Sequence, residues 1–500
     1  MDLFITTLTS TILSGAIMFL LAGVFVGIII GAIPGLNATM AVAILVPVTF
    51  GFSPEQGLLL LVGVFVGGIS GGFVSSTLLG IPGTPSSVAT TFDAYPMTKN
   101  GEPVRAMGIG IIATLFGGII GGFFLVTFAV TISSFAVKLG PPEFFSLVFF
   151  AILLISVLSR GNMLKGLTSG LIGISIALVG YSPIDGSPRL TLGISNLNNG
   201  FSLVAVMMGL FAISQILSDV ERGDVKKDIS LKMKGIGISI SETFSNTWNM
   251  IRSALIGVGF GVLPGLGAGA SNLVAYAQAK QSSKNKSNFG KGAPEGIYAA
   301  ESSNNAAIGG SLIPLLSLGI PGDAVTAVLV GGFMIHGIQP GPMLFTSNPQ
   351  IVYVVFIGFI LSIISVFLFQ LLGMRVFPRI LMIPNHYLFS TILMLTVVGV
   401  YADNYLMFDV WMMVLLGCIG FIFMKNNYPF APLILGFVLA PIGEDYLRRG
   451  LMQHGDIFSM ISTPISIILI LTALAVFFYT FYAEIRDLKR ENNEKNVNIS

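Results

Sequence analysis

Apolar residues dominate the chain in long, nearly continuous stretches that short polar segments separate. A membrane-crossing helix needs roughly 20 consecutive apolar residues. Apolar stretches follow one another almost from end to end: Thr11–Ile33, Leu58–Leu79, Met107–Val137, Phe144–Leu158, Leu164–Val179, Phe201–Leu217, Ser253–Val262, Ala306–Ile335, Ile351–Leu372, Tyr387–Val400, Val410–Met424, Pro432–Leu439 and Ile461–Tyr482. We expect an all-α polytopic membrane protein with about 11–14 membrane-embedded segments, some of them broken or re-entrant.

The composition excludes several other classes of protein. Hydrophobic residues make up 54% of the chain and charged residues 10%, whereas a soluble domain carries about 25% charge. The net charge of +2 gives no argument for nucleic-acid binding, and Cys418 is the single cysteine, which excludes an intrachain disulfide. The sequence contains no GxxxxGK[ST] phosphate loop, no metal-ligand spacing and no nucleophile–base set. We therefore expect a protein that is not an enzyme and needs no cofactor.

Two Gly/Pro strings occur twice, once in each half of the chain. The string LGIPG spans Leu79–Gly83 and Leu318–Gly322, and PGL spans Pro34–Leu36 and Pro264–Leu266, at offsets of 239 and 230 residues. Gly and Pro interrupt helices, and hydrocarbon tolerates non-helical backbone only where protein or a water-filled cavity surrounds it. Paired interruptions in two halves are typical of a secondary transporter's binding site. For one segment alone, the alternative is a proline kink with glycines for helix packing.

The polar segments divide the chain into four parts. We predict a first membrane repeat at residues 1–217, a polar connector at 218–252, a second membrane repeat at 253–483 and a polar C-terminal tail at 484–500. Repeats in carriers are often inverted, so that their broken helices meet near the midplane of the membrane. The inverted arrangement is our prediction, and a parallel repeat is the alternative.

Numbered in chain order, the first and third breaks are the PGL strings at Pro34–Leu36 and Pro264–Leu266, and both are candidate anion sites. Pro34 and Gly35 end one helix, and Asn37 and Thr39 are placed to cap the next. A helix N-terminus carries roughly half a positive charge and several unpaired N–H groups, so it can hold a carboxylate without a buried lysine. In the third break, glycines allow the backbone to approach a ligand closely. The candidate substrate-binding residues are Pro34, Gly35, Asn37, Thr39, Gly265, Gly267, Ser271 and Asn272.

The second and fourth breaks are the LGIPG strings at Leu79–Gly83 and Leu318–Gly322, and the residues that follow them carry hydroxyl groups and one acid. Hydroxyls beside a break can bind an anion or a cation, although some satisfy helix carbonyls instead. Asp323 is a rare acid in an apolar segment; it either coordinates a cation or caps the following helix, and the two roles are compatible. Asp93 lies further from its break and is assigned to a loop. The candidate substrate-binding residues here are Pro82, Gly83, Thr84, Ser86, Ser87, Pro321, Gly322 and Thr326.

A further polar cluster lies ahead of the fourth break. Glu301, Asn304 and Asn305 fall at i, i+3 and i+4, on one face of a helix. Such a face cannot lie against lipid. It contacts either substrate or ion, or it forms an interhelical hydrogen-bond network. We assign Asn304 and Asn305 to substrate binding and Asp323, Glu301 and Thr90 to the coupling ion; Na⁺ is the only metal ion expected.

These strings resemble the large membrane subunit of the tripartite tricarboxylate transporter family over nearly the whole chain. The similar segments are residues 31–47, 79–96, 179–193, 289–322, 335–342, 398–411 and 439–451. Asn37 departs from the resemblance, because a small residue is common there.

The resemblance implies a permease of the bacterial cytoplasmic membrane that takes up di- and tricarboxylates such as citrate. It also implies a small membrane subunit, an extracytoplasmic substrate-binding protein and a Na⁺ or H⁺ gradient. A stand-alone carrier or channel for organic anions is the alternative.

Overall fold

The protein is helical throughout the part that the computed structural model describes, residues 2–158, 163–182, 186–222, 237, 239–381 and 385–497. The strands found there are β1 (Gly180–Tyr181) and β2 (Pro188–Arg189), a short antiparallel pair. The all-α prediction is therefore confirmed. Most of the predicted connector, residues 223–236 and 238, and the last three residues of the tail lie outside the described residues.

Most of the helices follow one another with short connections, and the strand pair lies in the longer connection between α8 and α9. They are α1 (Asp2–Leu13), α2 (Ala16–Ala32), α3 (Ala38–Leu45), α4 (Pro54–Leu79), α5 (Val88–Lys99), α6 (Pro103–Ala136), α7 (Pro141–Leu158), α8 (Met163–Ala177), α9 (Leu203–Met207), α10 (Ser214–Arg222), α11 (Ile240–Ser245), α12 (Thr247–Val262), α13 (Gly267–Ser282), α14 (Pro294–Leu318), α15 (Ala324–Ile335), α16 (Leu344–Ser347), α17 (Pro349–Gly373), α18 (Phe377–Ile380), α19 (Asn385–Asn404), α20 (Met407–Lys425), α21 (Phe430–His454), α22 (Ile457–Met460) and α23 (Pro464–Val497). A π-helical turn, Met208–Ile213, joins α9 to α10.

Seven helical spans in the described residues are long and apolar enough to cross a membrane: Pro54–Leu79, Pro103–Ala136, Leu203–Glu221, Pro349–Gly373, Met407–Lys425, Phe430–His454 and Pro464–Arg486. The pair α1 and α2, bent by 79°, raises the number to eight if it counts as one span. Shorter apolar helices, such as α15, arise where Gly/Pro breaks divide an apolar stretch. The described residues thus contain fewer complete spans than the 11–14 membrane-embedded segments that we expected. Because that expected number also included broken and re-entrant segments, it stays a prediction.

The chain forms two compact units. One contains residues 1–136 and 203–421, and the other contains residues 137–202 and 422–500. In the first unit, α4 and α14 are the central helices, since nearly every residue of both is buried. In the second unit, α7 and α8 pack with α21, α23 packs with α7, and Arg189 of β2 forms an ion pair with Glu444 of α21 at 2.6 Å.

Glycines let helix α2 approach α4 closely. An ideal Cβ built on Gly27 would lie 2.6 Å from the carbonyl oxygen of Val64, and one on Gly31 would lie 2.1 Å from that of Gly68. Small residues at such spacing allow backbone-to-backbone packing of membrane helices, where apolar burial gives no drive for association. The stripe is readable in the sequence, because glycines recur every four residues in both helices: Gly23, Gly27 and Gly31 in α2, and Gly63, Gly67 and Gly71 in α4.

Helices α12 and α14 cross in the same manner at the offsets of the repeated strings. A Cβ on Gly257 would lie 2.2 Å from the carbonyl oxygen of Ser303, and one on Gly261 would lie 2.4 Å from that of Ala307. Gly257 and Gly261 follow Gly27 and Gly31 by 230 residues. Their partners follow Val64 and Gly68 by 239 residues. The duplicated strings therefore belong to duplicated helix contacts.

The paired breaks also share local geometry. Helix α4 ends on Gly80 with φ 71°, and α14 ends on Gly319 with φ 74°; both are left-handed caps that favour glycine. Ile33 after α2 and Leu263 after α12 adopt the same extended backbone, with ψ 117° and 118°. The helices of each pair thus end in the same backbone conformation.

The close α12–α14 crossing predicts opposite effects of two neighbouring substitutions. Gly257→Ala places a methyl group against the Ser303 carbonyl and costs about 1–3 kcal/mol through overpacking. Gly259→Ala meets no atom within 4 Å and gains up to about 1 kcal/mol of helix propensity. The midpoint of thermal unfolding in detergent should fall for the first variant and stay level or rise for the second. Equal midpoints would contradict the crossing.

Candidate functional site

The four breaks meet in pairs. An ideal Cβ built on Gly83, in the second break, would lie 2.3 Å from the carbonyl oxygen of Gly31, just ahead of the first break. The backbone N–H of Gly265, in the third break, donates to the carbonyl oxygen of Gly322, in the fourth, at 2.7 Å. Each pair of breaks in one half of the chain is therefore a single packed corner.

The second break also contacts the helix that follows the third. Asn272 of α13 accepts a hydrogen bond from the backbone N–H of Ala89, in the first turn of α5, at 2.8 Å. An ideal Cβ on Gly269 would lie 3.8 Å from the carbonyl group of Pro85. Asn272 has no exposed surface. The two corners are therefore joined through the buried Asn272 side chain. Because each corner is itself a packed pair of breaks, all four breaks form one connected group.

Side chains cap the helices that leave these breaks. The side-chain oxygen of Asn37, Oδ1, accepts from the Met40 N–H at 2.8 Å, so the predicted capping role of Asn37 is confirmed. Thr39 lies inside α3. Thr84 and Ser87 form a capping box at the second break. Asp323 and Thr326 form the corresponding box at the fourth, with 2.8 Å from the Thr326 N–H to Asp323 Oδ1. Capping therefore accounts for Asp323, and its cation role stays a prediction.

The hydroxyl groups of the second break bond to one another and to the backbone. Ser76 donates to Ser87 at 2.9 Å, and the Oγ atoms of Thr84 and Ser86 are also 2.9 Å apart. All four side chains are buried. The second break thus presents a compact hydroxyl cluster on its folded backbone. In α13, which follows the third break, the Ser271 hydroxyl donates to the Ala268 carbonyl oxygen.

Glu301 is the centre of a buried polar network between α5 and α14. Its Oε1 accepts from the Thr90 hydroxyl at 2.5 Å. Its Oε2 accepts from the amide groups of Asn304 at 3.3 Å and Asn305 at 3.4 Å. Glu301, Thr90 and both asparagines have no exposed surface. The predicted helical face therefore contacts protein, and the two candidate coupling-ion residues Thr90 and Glu301 touch.

The Asn305 side chain extends the network to neighbouring helices. Asn305 Oδ1 accepts from Ser70 of α4 at 2.6 Å, and its amide group donates to Thr114 of α6 at 3.1 Å. Gln370 of α17 donates to the Ser70 carbonyl oxygen at 2.8 Å. Two buried oxygens, Asn304 Oδ1 and Gln370 Oε1, have no hydrogen-bond partner among the described residues. The network is therefore satisfied except at oxygens, which are ligands for hard cations.

No described lysine or arginine donates to Glu301; its recorded donors are the hydroxyl and amide groups above. A carboxylate buried without a cationic partner is costly, and in membrane proteins such groups are functional by default. Among the described residues, the network thus holds an acidic group that neutral oxygen-bearing side chains surround.

Asp93 is the group that the sequence reasoning missed. It lies in helix α5 and is fully buried, so the predicted loop location is wrong. Its Oδ1 accepts from the backbone N–H groups of Gly290, Gly292 and Ala293 at 2.8–2.9 Å. Tyr276 of α13 donates to Oδ2 at 2.9 Å. A sequence signal exists, because Asp93 follows Thr90 by three residues and so shares its face of α5.

Comparison with known proteins identifies a family for the chain. The model of the tripartite tricarboxylate transporter TctA family matches residues 17–435, a range that includes all four breaks and the buried network. The chain belongs to this family.

Two relatives from Agrobacterium vitis were found. One, an uncharacterized 52.8 kDa protein in the TAR-I ttuC' 3' region, is 32% identical over 472 residues, which are 94% of each chain. The other, an uncharacterized protein in the TAR-II ttuC' 3' region, is 37% identical over 207 residues, 41% of this chain and 86% of that one. No solved structure matches significantly.

Membership of the TctA family makes this chain a transporter permease subunit and not an enzyme. The candidate membrane spans agree with a membrane location.

The cap at Asp323 can be separated from its charge by two substitutions. Asp323→Ala removes the oxygen that accepts from the Thr326 N–H and should cost about 1 kcal/mol. Asp323→Asn keeps a capping oxygen and should cost a few tenths. The measurement is the thermal unfolding midpoint in detergent. If the two variants were equally stable, the cap would not be what Asp323 provides.

Proposed function

We propose that this TctA-family permease takes up di- or tricarboxylates, citrate-like organic anions, using a Na⁺ or H⁺ gradient. The observation that carries the proposal is the connected group of breaks with the Glu301 network beside it. Asn272 bonds both to the backbone of the second break and, at 3.5 Å, to the Thr90 hydroxyl. The anion site and the cation site would thus adjoin each other at Asn272, and coupled transport requires sites that are close enough to affect each other.

The electropositive helix ends supply the attraction for the anion. Helices α3, α5, α13 and α15 each begin at one of the four breaks. Their N-termini carry partial positive charge and N–H groups. The predicted residues at the breaks, with Asn304 and Asn305, would surround the carboxylate groups. Discontinuous helices of this kind hold anionic substrate groups in other repeat-built carriers.

Glu301 is the proposed ligand of the coupling ion. Its carboxylate, the Thr90 hydroxyl and the unpartnered Asn304 Oδ1 are oxygen donors that suit Na⁺, and Glu301 alone could carry a proton instead. Binding of either cation would neutralise the buried charge. The free energy of that neutralisation is the source of coupling between cation and substrate.

Two membrane repeats, related by inversion, are part of the proposal. The recurrence of the α2–α4 contacts in α12–α14 at offsets of 230 and 239 residues supports the repeat. The proposal also includes the bacterial cytoplasmic membrane, a small membrane subunit and an extracytoplasmic binding protein that delivers the carboxylate. Family membership supports these partners.

Glu301→Gln tests the coupling role. The amide keeps the size of the side chain but removes its negative charge, so uptake of citrate by the assembled transporter should lose its dependence on Na⁺ or pH. Glu143→Gln is the matched control, because Glu143 is also a buried carboxylate, bonded to the Gly140 N–H at 2.9 Å in another part of the chain. Its ion dependence should equal that of the wild type.

Wild-type ion dependence in Glu301→Gln, measured in proteoliposomes, would exclude Glu301 as the coupling site. Uptake that never depends on either ion would exclude coupled transport itself.

A further inference from the structure

Helix α5 packs against α13 and α14, and helix α15 packs against α3 and α4. These are equivalent junctions, because α5 and α15 follow the LGIPG strings, whereas α13 and α3 follow the PGL strings. An ideal Cβ on Gly332 of α15 would lie 2.4 Å from Leu61 of α4 and 3.6 Å from Val46, the C-cap residue of α3. Asp93, which Gly332 follows by 239 residues, likewise contacts α13 and α14.

The two junctions differ in polarity. At the α5 junction, the facing groups are Thr90, Asp93, Asn272, Tyr276 and Glu301. At the α15 junction, the same offsets give Leu329, Gly332, Val42, Val46 and Val62. Every hydrogen-bonding side chain of the first set is thus apolar or absent in the second. Packing alone does not require a polar junction, since the apolar one performs the equivalent contact.

Asp93 holds the polar junction together. Three backbone N–H groups ahead of α14 converge on Oδ1, and Tyr276 of α13 binds Oδ2, so one carboxylate fixes α5 to both neighbours. Gly290 and Gly292 provide this arrangement with φ 84° and 107°, as in the backbone nests that bind anions. Gly296 leaves room for it, because a Cβ there would lie 2.3 Å from Asp93 Oδ2.

These contacts of Asp93 lie one helical turn from Thr90 and Asn272, beside the proposed coupling-ion site. Asp93 follows Thr90 by three residues in α5, and Tyr276 follows Asn272 by four in α13, so each pair shares a helix face. Movement of α5 away from α14 would separate the Thr90 hydroxyl from Glu301, and movement of α13 away from α5 would separate Asn272 from Thr90. The described hydrogen bonds of Asp93 go to Tyr276 and to the backbone ahead of α14, not to Glu301 or Thr90. Asp93 therefore acts on those two residues through the positions of the helices.

We propose that Asp93 is the positioning residue of the coupling-ion site, fixing α5 and α13 against α14 so that Thr90 and Asn272 stay beside Glu301. The inference rests on the proposed role of Glu301 in ion coupling.

The test is the ion dependence of citrate uptake by the assembled transporter, with Na⁺ varied at fixed pH and pH varied at fixed Na⁺. Asp93→Ala should raise the half-saturating concentration of the driving ion about 10–100-fold, the usual effect of losing support for a metal ligand. The maximal rate at saturating ion should change little. Asp93→Asn and Tyr276→Phe keep the volume of the side chains and should give smaller rises of the same kind.

Asp409→Asn is the matched control, because Asp409 is a buried aspartate that accepts from Asn404 at 2.8 Å and is no part of this junction. It should leave the half-saturating concentration unchanged. A second readout is the rise in thermal unfolding midpoint that NaCl gives over choline chloride, which measures Na⁺ binding without transport. If Na⁺ drives uptake, the rise should shrink in the Asp93 variants.

The inference is wrong if Asp93→Asn and Tyr276→Phe alter only the maximal rate or the amount of folded protein while Glu301→Gln abolishes ion dependence. In that case the proposed function stands and Asp93 is merely structural. Wild-type uptake without ion dependence, or Glu301→Gln with normal dependence, overturns the proposed function instead. Should Asp93→Ala fail to fold, the two milder variants decide.

Discussion

The proposed coupling depends on a buried carboxyl group, Glu301, to which no lysine or arginine among the described residues donates. Glu301 lies in the middle of α14, out of contact with solvent, and is held by the Thr90 hydroxyl and two amide groups. Hydrogen bonds of this kind reduce the cost of burying the charge but do not remove it. In the proposed mechanism, a cation that enters the network would gain that residual energy. Because the network lies close to the second and third breaks, the same energy would affect an anion bound there.

Close helix packing makes this network possible. The glycine crossings of α2 with α4 and of α12 with α14 bring backbones together, so that the polar face of α14 contacts protein instead of lipid. The crossings also align the helix ends. Because Gly31 and Gly261 lie just ahead of the first and third breaks, the same contacts that join the helices seat Gly83 and Gly322 of the paired breaks.

Local rules predicted some of the fold and site well. Duplicated LGIPG strings predicted matching breaks, and spacing along α14 predicted one face for Glu301, Asn304 and Asn305. The Asn37 cap follows from residue type. The number of complete spans did not follow, because hydropathy cannot tell where a Gly/Pro break divides a stretch into short helices.

Tertiary partners were beyond the reach of the sequence. Asp93 lies three residues before Pro96, a residue type common in turns, and only the fold brings Gly290, Gly292 and Ala293, some 200 residues away, to its carboxylate. Ser70 and Thr114 carry no distinguishing signal, since single hydroxyls in apolar helices usually bond to their own backbone. Their contacts with Asn305 depend on how α4, α6 and α14 pack.

The central claim is that breaks from both halves form one anion site, and substrate protection of introduced cysteines tests it most directly. In a Cys418→Ser background, Ile81→Cys and Leu263→Cys place thiols at two breaks where the native side chains are exposed, and Phe458→Cys, an exposed position of the other compact unit, serves as the reference. Citrate should slow maleimide labelling at both breaks in the assembled transporter and leave Phe458→Cys unchanged. Labelling that is absent at the breaks, or unaffected by citrate that saturates transport, would contradict the account.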